Sequence, residues 1–345
     1  MKKLITLCLQ LFAGNLNTNV TTQTGTGQDL SAENKTFYDK NLIRYATPNL
    51  VHKQFGQKRP IPKNGGKKIE FRRFSPLAKA LTPLTEGVTP DGKKMDVSKF
   101  EASVDQYGDY ITQSDVLELT AIDNTIVEAT KMLGNQAGLT LDTLARNVLN
   151  SGNNVQYCPK IAADGSTTPV TSRGGLDASC RLTVDVVKRC VTKLKQQNAP
   201  KINGSYIGII HPNVEYDLTT DPAWEEWHKY TTPENMYEGE IGRSYSVRCV
   251  ESTEAKVWKD ENTPDGLAVF STLFLGEGAY GDTEIEGGGL QTIIKQKGSA
   301  GTADPLDQRS TIGWKAITVT EILVPQYLVR AESCSTVWSA STNAN

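Results

Sequence analysis

The sequence predicts an α+β fold, and three observations carry that prediction. Two short alternating segments flank a long loop at residues 75–98, one continuous helical pattern covers residues 123–150, and helical and buried-strand patterns follow each other after residue 175. The chain has 345 residues, of which 38% are hydrophobic and 22% charged. This composition is typical of globular proteins with a substantial core, and it excludes disordered and collagen-like chains.

The first fifth of the chain is basic and poor in core residues. Residues 1–74 carry a formal charge of +9, whereas residues 75–345 carry −11. A short amphipathic helix is predicted over residues 31–50. The residues that follow, 53–68, are basic and rich in Pro and Gly, so we expect them to have no core of their own.

The basic residues between Lys58 and Arg73 form a first candidate contact surface. Such charge fits either nucleic acid or an acidic neighbouring subunit. The acidic remainder of the same chain favours the neighbouring subunit. The candidate contact residues on this surface are Lys58, Arg59, Lys67, Lys68, Arg72 and Arg73.

The loop at residues 75–98, which we call the loop tip, is the second candidate contact surface. Alternation predicts one strand over residues 69–74 and another over residues 100–105, and the connection between them is far longer than an ordinary hairpin turn. The apolar side chains of the loop tip have little local core to enter, so we expect them to lie on another surface. They are Leu77, Leu81, Leu84, Val88 and Met95, and the three leucines are the candidate contact residues.

The strongest helical pattern covers residues 123–150, where apolar residues recur at steps of three or four. A continuous helix of this length would span about 42 Å. The remaining patterns predict a helix over residues 183–197, buried strands over residues 206–211 and 267–275, and a strand that starts at Trp314 and continues to Val324 or, beyond Pro325, to Arg330.

Two glycine motifs invite an enzymatic interpretation, and neither is complete. Gly276–Gly281 has the spacing of a dinucleotide-binding loop, but acids and glycines follow it where a helix should receive the pyrophosphate. We therefore predict a glycine-rich turn there. Gly87–Lys94 is similar to a phosphate-binding loop, but Lys94 replaces the Ser or Thr that would bind magnesium. We expect no cofactor and no enzymatic activity, with a nucleotide-dependent oxidoreductase as an alternative.

The sequence also gives little support for a metal site, for disulfide bonds or for a membrane-spanning segment. The acids and the histidine between Asp221 and His228 match no zinc or calcium motif, and they predict a solvated helix face with aromatic anchors. The six cysteines form no C-x-x-C pair, so we expect scattered reduced thiols and no metal site. No run approaches the ~18 apolar residues of a membrane span. Residues 2–13 imitate a secretory signal, but a glutamine interrupts the apolar stretch.

Several long runs of sequence are recognisable as an ordered set. They are Phe37–Arg44, Pro48–Leu77, Leu84–Lys93, Gln106–Gly108, Ser114–Asn124, Pro233–Arg243, Thr283–Gln291 and Gly298–Arg309. Together they resemble the major capsid proteins of tailed bacteriophages, in the family that groups with the phage N-four major coat protein. Because these runs are long and ordered, the resemblance is far more specific than the glycine motifs.

The resemblance implies the Hong Kong ninety-seven type capsid fold. It assigns an N-terminal arm to residues 1–62, an extended β-hairpin loop to residues 63–112, a peripheral domain to residues 113–176 and 301–345 with a spine helix at 123–150, and an axial α/β domain to residues 177–300. Since the arm has little core, we expect the body to fold without it.

The resemblance also implies a function. A major capsid protein of this kind self-assembles into hexamers and pentamers, which form an icosahedral shell around the double-stranded DNA genome. Portal and scaffold proteins would be partners during assembly, packaged DNA would lie inside without sequence-specific contacts, and no membrane would be involved. The chain would reside in the virion, and in the host cytoplasm during assembly. A basic-arm nucleic-acid-binding protein is the first alternative, ahead of the nucleotide-dependent oxidoreductase.

Overall fold

The computed structural model describes residues 50–74, 77–89, 91–120, 125–162, 164–228, 240–264, 266–301, 304–337 and 344–345. The predicted helix over residues 31–50 lies outside them, apart from Leu50. The helices are α1 (Asp115–Thr120), α2 (Thr125–Leu149), α3 (Val184–Gln196), α4 (Pro212–Thr219) and α5 (Pro222–His228). None of these helices is long and apolar enough to cross a membrane.

Sixteen strands accompany the helices in the described part of the chain. They are β1 (Gln57–Lys58), β2 (Lys68–Phe74), β3 (Val97–Ser103), β4 (Asp105–Ser114), β5 (Val155–Tyr157), β6 (Lys160–Ile161), β7 (Thr167–Thr168), β8 (Tyr206–Ile210), β9 (Glu240–Ser244), β10 (Val247–Glu251), β11 (Val257–Trp258), β12 (Val269–Leu275), β13 (Tyr280–Glu284), β14 (Gln291–Lys295), β15 (Arg309–Ile322) and β16 (Leu328–Ser333).

A five-stranded sheet with the long helix α2 against it forms the first body. β15 is its central strand: β4 pairs with one edge, β13 and β14 pair with the other, and β1 extends the sheet in parallel beside β13. The buried face of α2 recurs at Ala129, Leu133, Ala137 and Leu141, and it packs in one apolar cluster with Ile312, Trp314 and Ala316 of β15. The periodicity that predicts the long helix is therefore the periodicity with which it contacts the sheet.

A seven-stranded sheet forms the second body. Its order is β5-β16-β12-β8-β10-β9, with β11 added at β12. Every residue of β8 and β12 is buried, as the continuous apolar runs predict. Helix α3 covers this sheet with an apolar stripe that includes Val187, Cys190 and Leu194.

The two bodies do not follow the sequence boundaries predicted at residues 177 and 301. β15 ends at Ile322, a 3₁₀ turn covers Pro325–Tyr327, and the chain then enters the seven-stranded sheet as β16. Conversely, β13 and β14 fall in the range predicted for the axial domain and pair with β15 in the other sheet. Proline lacks the N–H that a continued ladder would need, so a change of sheet at this point is physically reasonable.

The predicted hairpin is present as β2 and β3, paired in antiparallel register from Lys68 opposite Ser103 to Phe74 opposite Val97. Ala102, near its base, and Phe71, midway along it, are buried. The chain then continues directly into β4, a strand that the sequence did not predict. The hairpin is thus anchored at one end to the five-stranded sheet, and the loop tip lies at the other end.

Candidate assembly surfaces

The loop tip is exposed. Its residues 77–89 and 91–96 form neither helix nor strand, and Leu77, Leu81 and Leu84 are 58%, 82% and 77% exposed. Two hydrogen bonds shape this segment: Val88 N–H donates to the Thr85 carbonyl at 3.2 Å, and Lys93 Nζ donates to the Ala78 carbonyl at 2.9 Å. The leucines therefore have no core in their own subunit, as far as its described residues extend.

The basic candidates on the hairpin are exposed but partly neutralised by neighbouring acids. Arg72 Nε lies 2.6 Å from Oε1 of Glu70, and Lys99 Nζ lies 3.4 Å from the same oxygen. The hydrogen bond from Arg72 lowers the pKa of Glu70, and the charge of Lys99 adds to this effect. Lys68 Nζ is 3.3 Å from Oε2 of Glu101. Exposed pairs like these contribute little to folding, so the hairpin charges stay available to a partner.

The other basic candidates lie on the segment that leads into the hairpin. Lys58, Arg59 and Lys67 are all exposed. The backbone of Arg59 is fixed, because its N–H donates to the carbonyl of Asp282. The side chain of Arg73 lies outside the described parts of the structure. The described basic candidates are thus exposed, and the backbone of Arg59 is held by the body.

Residues 50–61, which we call the strap, are bound into the body, contrary to the expectation that this basic region has no core contacts. His52 is fully buried: its Nδ1 lies 2.6 Å from Oδ2 of Asp142 on α2, and its N–H donates to Oδ1 at 2.7 Å. The hydroxyl of Tyr280 donates to the carbonyl of His52. Burial raises the pKa of Tyr280 well above its ordinary value, so this hydroxyl keeps its proton.

A second buried group fastens the strap one residue later. Lys53 Nζ lies 3.1 Å from Oδ1 of Asp282 and donates to Oγ1 of Thr318 at 2.7 Å. Thr318 and Thr320 also donate to the Asp282 carboxylate. Both charged side chains are buried. Removing one member of such a pair costs about 3–5 kcal/mol, because the other charge stays buried without its partner.

Three apolar side chains are the sequence feature that could have shown that the strap contacts the core. Val51 and Phe55 pack against the apolar cluster around Leu149 and Tyr280, and Ile61 is buried beside a bridge to the end of β13. They are irregularly spaced among Lys, Gln, Gly and Pro. No helical or strand period therefore reveals that they enter a core.

An ionic cluster in the second body was also not predicted from the sequence. Glu332 is fully buried and accepts hydrogen bonds from Nε and Nη2 of Arg173 at 2.8 and 2.9 Å. The hydrogen bonds to Glu332 raise the pKa of Arg173. The guanidinium of Arg173 stacks 3.9 Å from the ring centre of Trp258, and Arg330 lies on the same ring at 5.3 Å. This cluster ties β11 and β16 to the loop before α3.

The motifs that suggested enzymatic chemistry have structural roles. The glycine-rich segment at Gly276 is a turn that leads into β13, as predicted, and no helix follows it. Gly87–Lys94 lies in the loop tip and leads into β3. In α5, Trp224 is buried and Glu225 and Glu226 are exposed, which confirms the predicted helix face.

Metal-ligating side chains do not converge in the described part of the chain, where no group of three or more His, Cys, Asp or Glu could hold a metal ion. Five of the six cysteines are described, and all five are free and buried. Burial raises the pKa of Cys190 and Cys334 to about 12, so these thiols stay protonated and unreactive. Cys8 lies outside the described residues.

Comparison with known proteins relates this architecture to virus shells. The fold matches the capsid of Ralstonia phage GP4 with a TM-score of 0.66 and 13% identity over 84% of this chain and 89% of that one. It matches the capsid of cyanophage P-SCSP1u with a TM-score of 0.61 and 12% identity, over 83% and 89% of the two chains. It also matches the capsid of cyanophage Pam1 with a TM-score of 0.61 and 10% identity, over 94% of this chain and 100% of that one. The chain thus has the Hong Kong ninety-seven type fold of phage capsids.

Sequence comparison gives the family directly. None of the curated proteins compared is similar enough to match. The profile of the family described as phage capsid protein, however, matches residues 30–298, which is most of the chain. The chain therefore belongs to the phage capsid protein family and is a shell-forming major capsid protein of the virion.

Proposed function

We propose that the chain assembles through hexamers and pentamers into a closed icosahedral shell around a double-stranded DNA genome. One chain must then make the same contacts in many nearly equivalent positions, which closed symmetric assemblies require. The observation that carries the proposal is the loop tip, whose three leucines are exposed in the subunit. Exposed apolar side chains on a long projecting loop fit a surface that becomes buried on assembly.

The two candidate surfaces have different tasks in this proposal. The leucines Leu77, Leu81 and Leu84 lie on a neighbouring subunit. The basic residues Lys58, Arg59, Lys67, Lys68, Arg72 and Arg73 face acidic surfaces of adjacent copies, since the chain beyond residue 74 carries −11. Attraction between these charges would orient subunits as they meet, and contact between apolar surfaces would then hold them.

The remaining partners follow from shell formation. Portal and scaffold proteins act during assembly in the host cytoplasm, and packaged DNA lies inside the shell without sequence-specific contacts. The role is structural rather than enzymatic. The two alternatives are weaker: the segment at Gly276 lacks the helix that a pyrophosphate needs, and the acidic remainder of the chain favours a neighbouring subunit over nucleic acid as the partner of the basic residues.

Light scattering and electron microscopy of the purified chain, with a scaffold supplied, test the proposal. We expect megadalton particles that are closed shells. Lys195→Ser changes an exposed residue of α3 outside both candidate surfaces and should form the same shells. A monomer or dimer under every assembly condition would contradict the proposal.

A further inference from the structure

A cavity of about 620 Å³ opens on the five-stranded sheet, over β4, β15 and β14. Its central row is Tyr110, Gly313 and Ile293, which are cross-strand partners. Side chains alternate between the two faces of a strand, and Ile312 and Trp314 face α2. The cavity therefore lies on the face of the sheet opposite α2.

Glycines create this cavity. A Cβ on Gly313 would lie 2.7 Å from Cβ of Tyr110, and a Cβ on Gly108 would lie 2.5 Å from the carbonyl oxygen of Trp314. No side chain fits at either position without a shift, so the floor of the cavity is bare backbone. Tyr110 and Ile293 are 68% and 38% exposed and form apolar walls on either side.

The rim of the cavity is positively charged. Lys295 and Arg309 line it, and Lys295 has no ion-pair partner within the described part of the chain. Arg309 lies 3.7 Å from Asp304. Asp109 also lines the cavity, but its carboxylate accepts a hydrogen bond at 2.6 Å from Gln136 on α2, and this bond lowers the pKa of Asp109. The occupant of this cavity should therefore carry two or three apolar side chains and one acid.

The turn at the end of the loop tip has this chemistry. Leu84 and Val88 are exposed and flank Glu86, which is also exposed. The hydrogen bond from Val88 to Thr85 closes the turn. Gly87 adopts a φ of +79°, and it lies in open space, since a Cβ at this position would have no atom within 4 Å. The turn thus presents two apolar groups and one carboxylate from a preformed backbone.

We propose that residues 84–88 of one subunit insert into this cavity of a second copy. Leu84 and Val88 pack against Tyr110 and Ile293, and the Glu86 carboxylate pairs with Lys295. This inference rests on the proposed function and identifies the receptor for the loop tip. It also gives Gly108 and Gly313 a role, since they keep the receptor open.

Disulfide trapping in assembled full-length shells tests the contact. The test variant combines Glu86→Cys with Lys295→Cys. Its matched control combines Glu86→Cys with Lys195→Cys, because both lysines are exposed. After mild oxidation, we expect the 86/295 pair to give linked subunits on a non-reducing gel. The 86/195 pair and each single variant should stay unlinked. A charge exchange, Glu86→Lys with Lys295→Glu, should restore the shell yield that either single change lowers.

Each result bears on a different part of the proposal. Shells that form normally without linkage of the 86/295 pair would overturn the cavity assignment and leave the proposed function intact. Linkage within one chain, seen as a monomer of altered mobility, would also overturn it, as would equal linkage of the control pair. Failure of the unmodified chain to form shells would instead contradict the proposed function.

Discussion

The strap and the loop tip lie in opposite environments, although both are irregular segments in which Lys, Gly and Pro interrupt the apolar residues. In the strap, His52 and Lys53 are buried against carboxylates of the first body, and Ile61 enters its core. In the loop tip, three leucines are mostly exposed. Buried polar and apolar side chains together hold the strap within the subunit, whereas the exposed leucines leave the loop tip free for another surface. Residue type alone does not separate internal from external contacts.

Truncation of the strap is the change for which we expect the largest loss of folding stability. A chain lacking residues 1–62 loses the partners of Asp142 and Asp282, and two buried charges without partners cost about 3–5 kcal/mol each. Since folded domains are stable by about 5–15 kcal/mol, we expect this chain to unfold or to melt far lower. A chain lacking residues 1–49 keeps every strap contact, so circular dichroism should show an unchanged fold. Equal stability of both truncations would contradict the role of the strap.

A double-mutant cycle measures the strap pair itself. Lys53→Met leaves the buried Asp282 without its cation and should lower the free energy of unfolding by about 3–5 kcal/mol. Adding Asp282→Leu should recover part of that loss, because an apolar pair needs no charge partner. The control is Lys68→Met on the hairpin, where the exposed pair with Glu101 contributes about 0–1 kcal/mol. The free energies of unfolding are measured by denaturant titration. An equal loss in Lys53→Met and Lys68→Met would contradict the account.

Mild acid should weaken the body through a buried histidine, a residue type that the loop tip does not contain. Burial lowers the pKa of His211 to about 4, and its Nδ1 accepts a hydrogen bond from the Asn213 N–H at the start of α4. The unfolded chain binds this proton near the ordinary value of about 6.5, so stability should fall as the pH drops from 6.5 towards 4. His211→Asn keeps an acceptor at the cap without a titrating group, and its melting curve should lose this part of the pH dependence. An unchanged pH profile would count against this origin.

The sequence predicts elements whose signal is local and misses those that depend on distant partners. The long helix follows from periodicity within one segment, and β8 and β12 follow from continuous apolar runs. The strap does not, because burial of His52 depends on Asp142, ninety residues away. The change of sheet at Pro325 likewise depends on strands far along the chain.

The candidate surfaces also separate into one with a local sequence signal and one that depends on distant residues. Exposure of the loop-tip leucines was predictable, because no local core exists for them. The cavity was not, since Tyr110, Ile293 and Gly313 come from three strands that meet only in the folded sheet. Its floor comes from two glycines that no sequence pattern singles out.

The central claim, that the loop-tip leucines are buried only on assembly, is tested by unfolding and shell dissociation measured on one variant. In Leu77→Ser/Leu81→Ser/Leu84→Ser we expect an unchanged melting temperature of the subunit and dissociation of the shell at lower denaturant, since each leucine contributes about 1.5–3 kcal/mol where it becomes buried. Leu133→Ser on α2 is the control and should lower the melting temperature of the subunit itself. A triple variant whose isolated subunit loses most of its stability would place these leucines in an internal core and contradict the account.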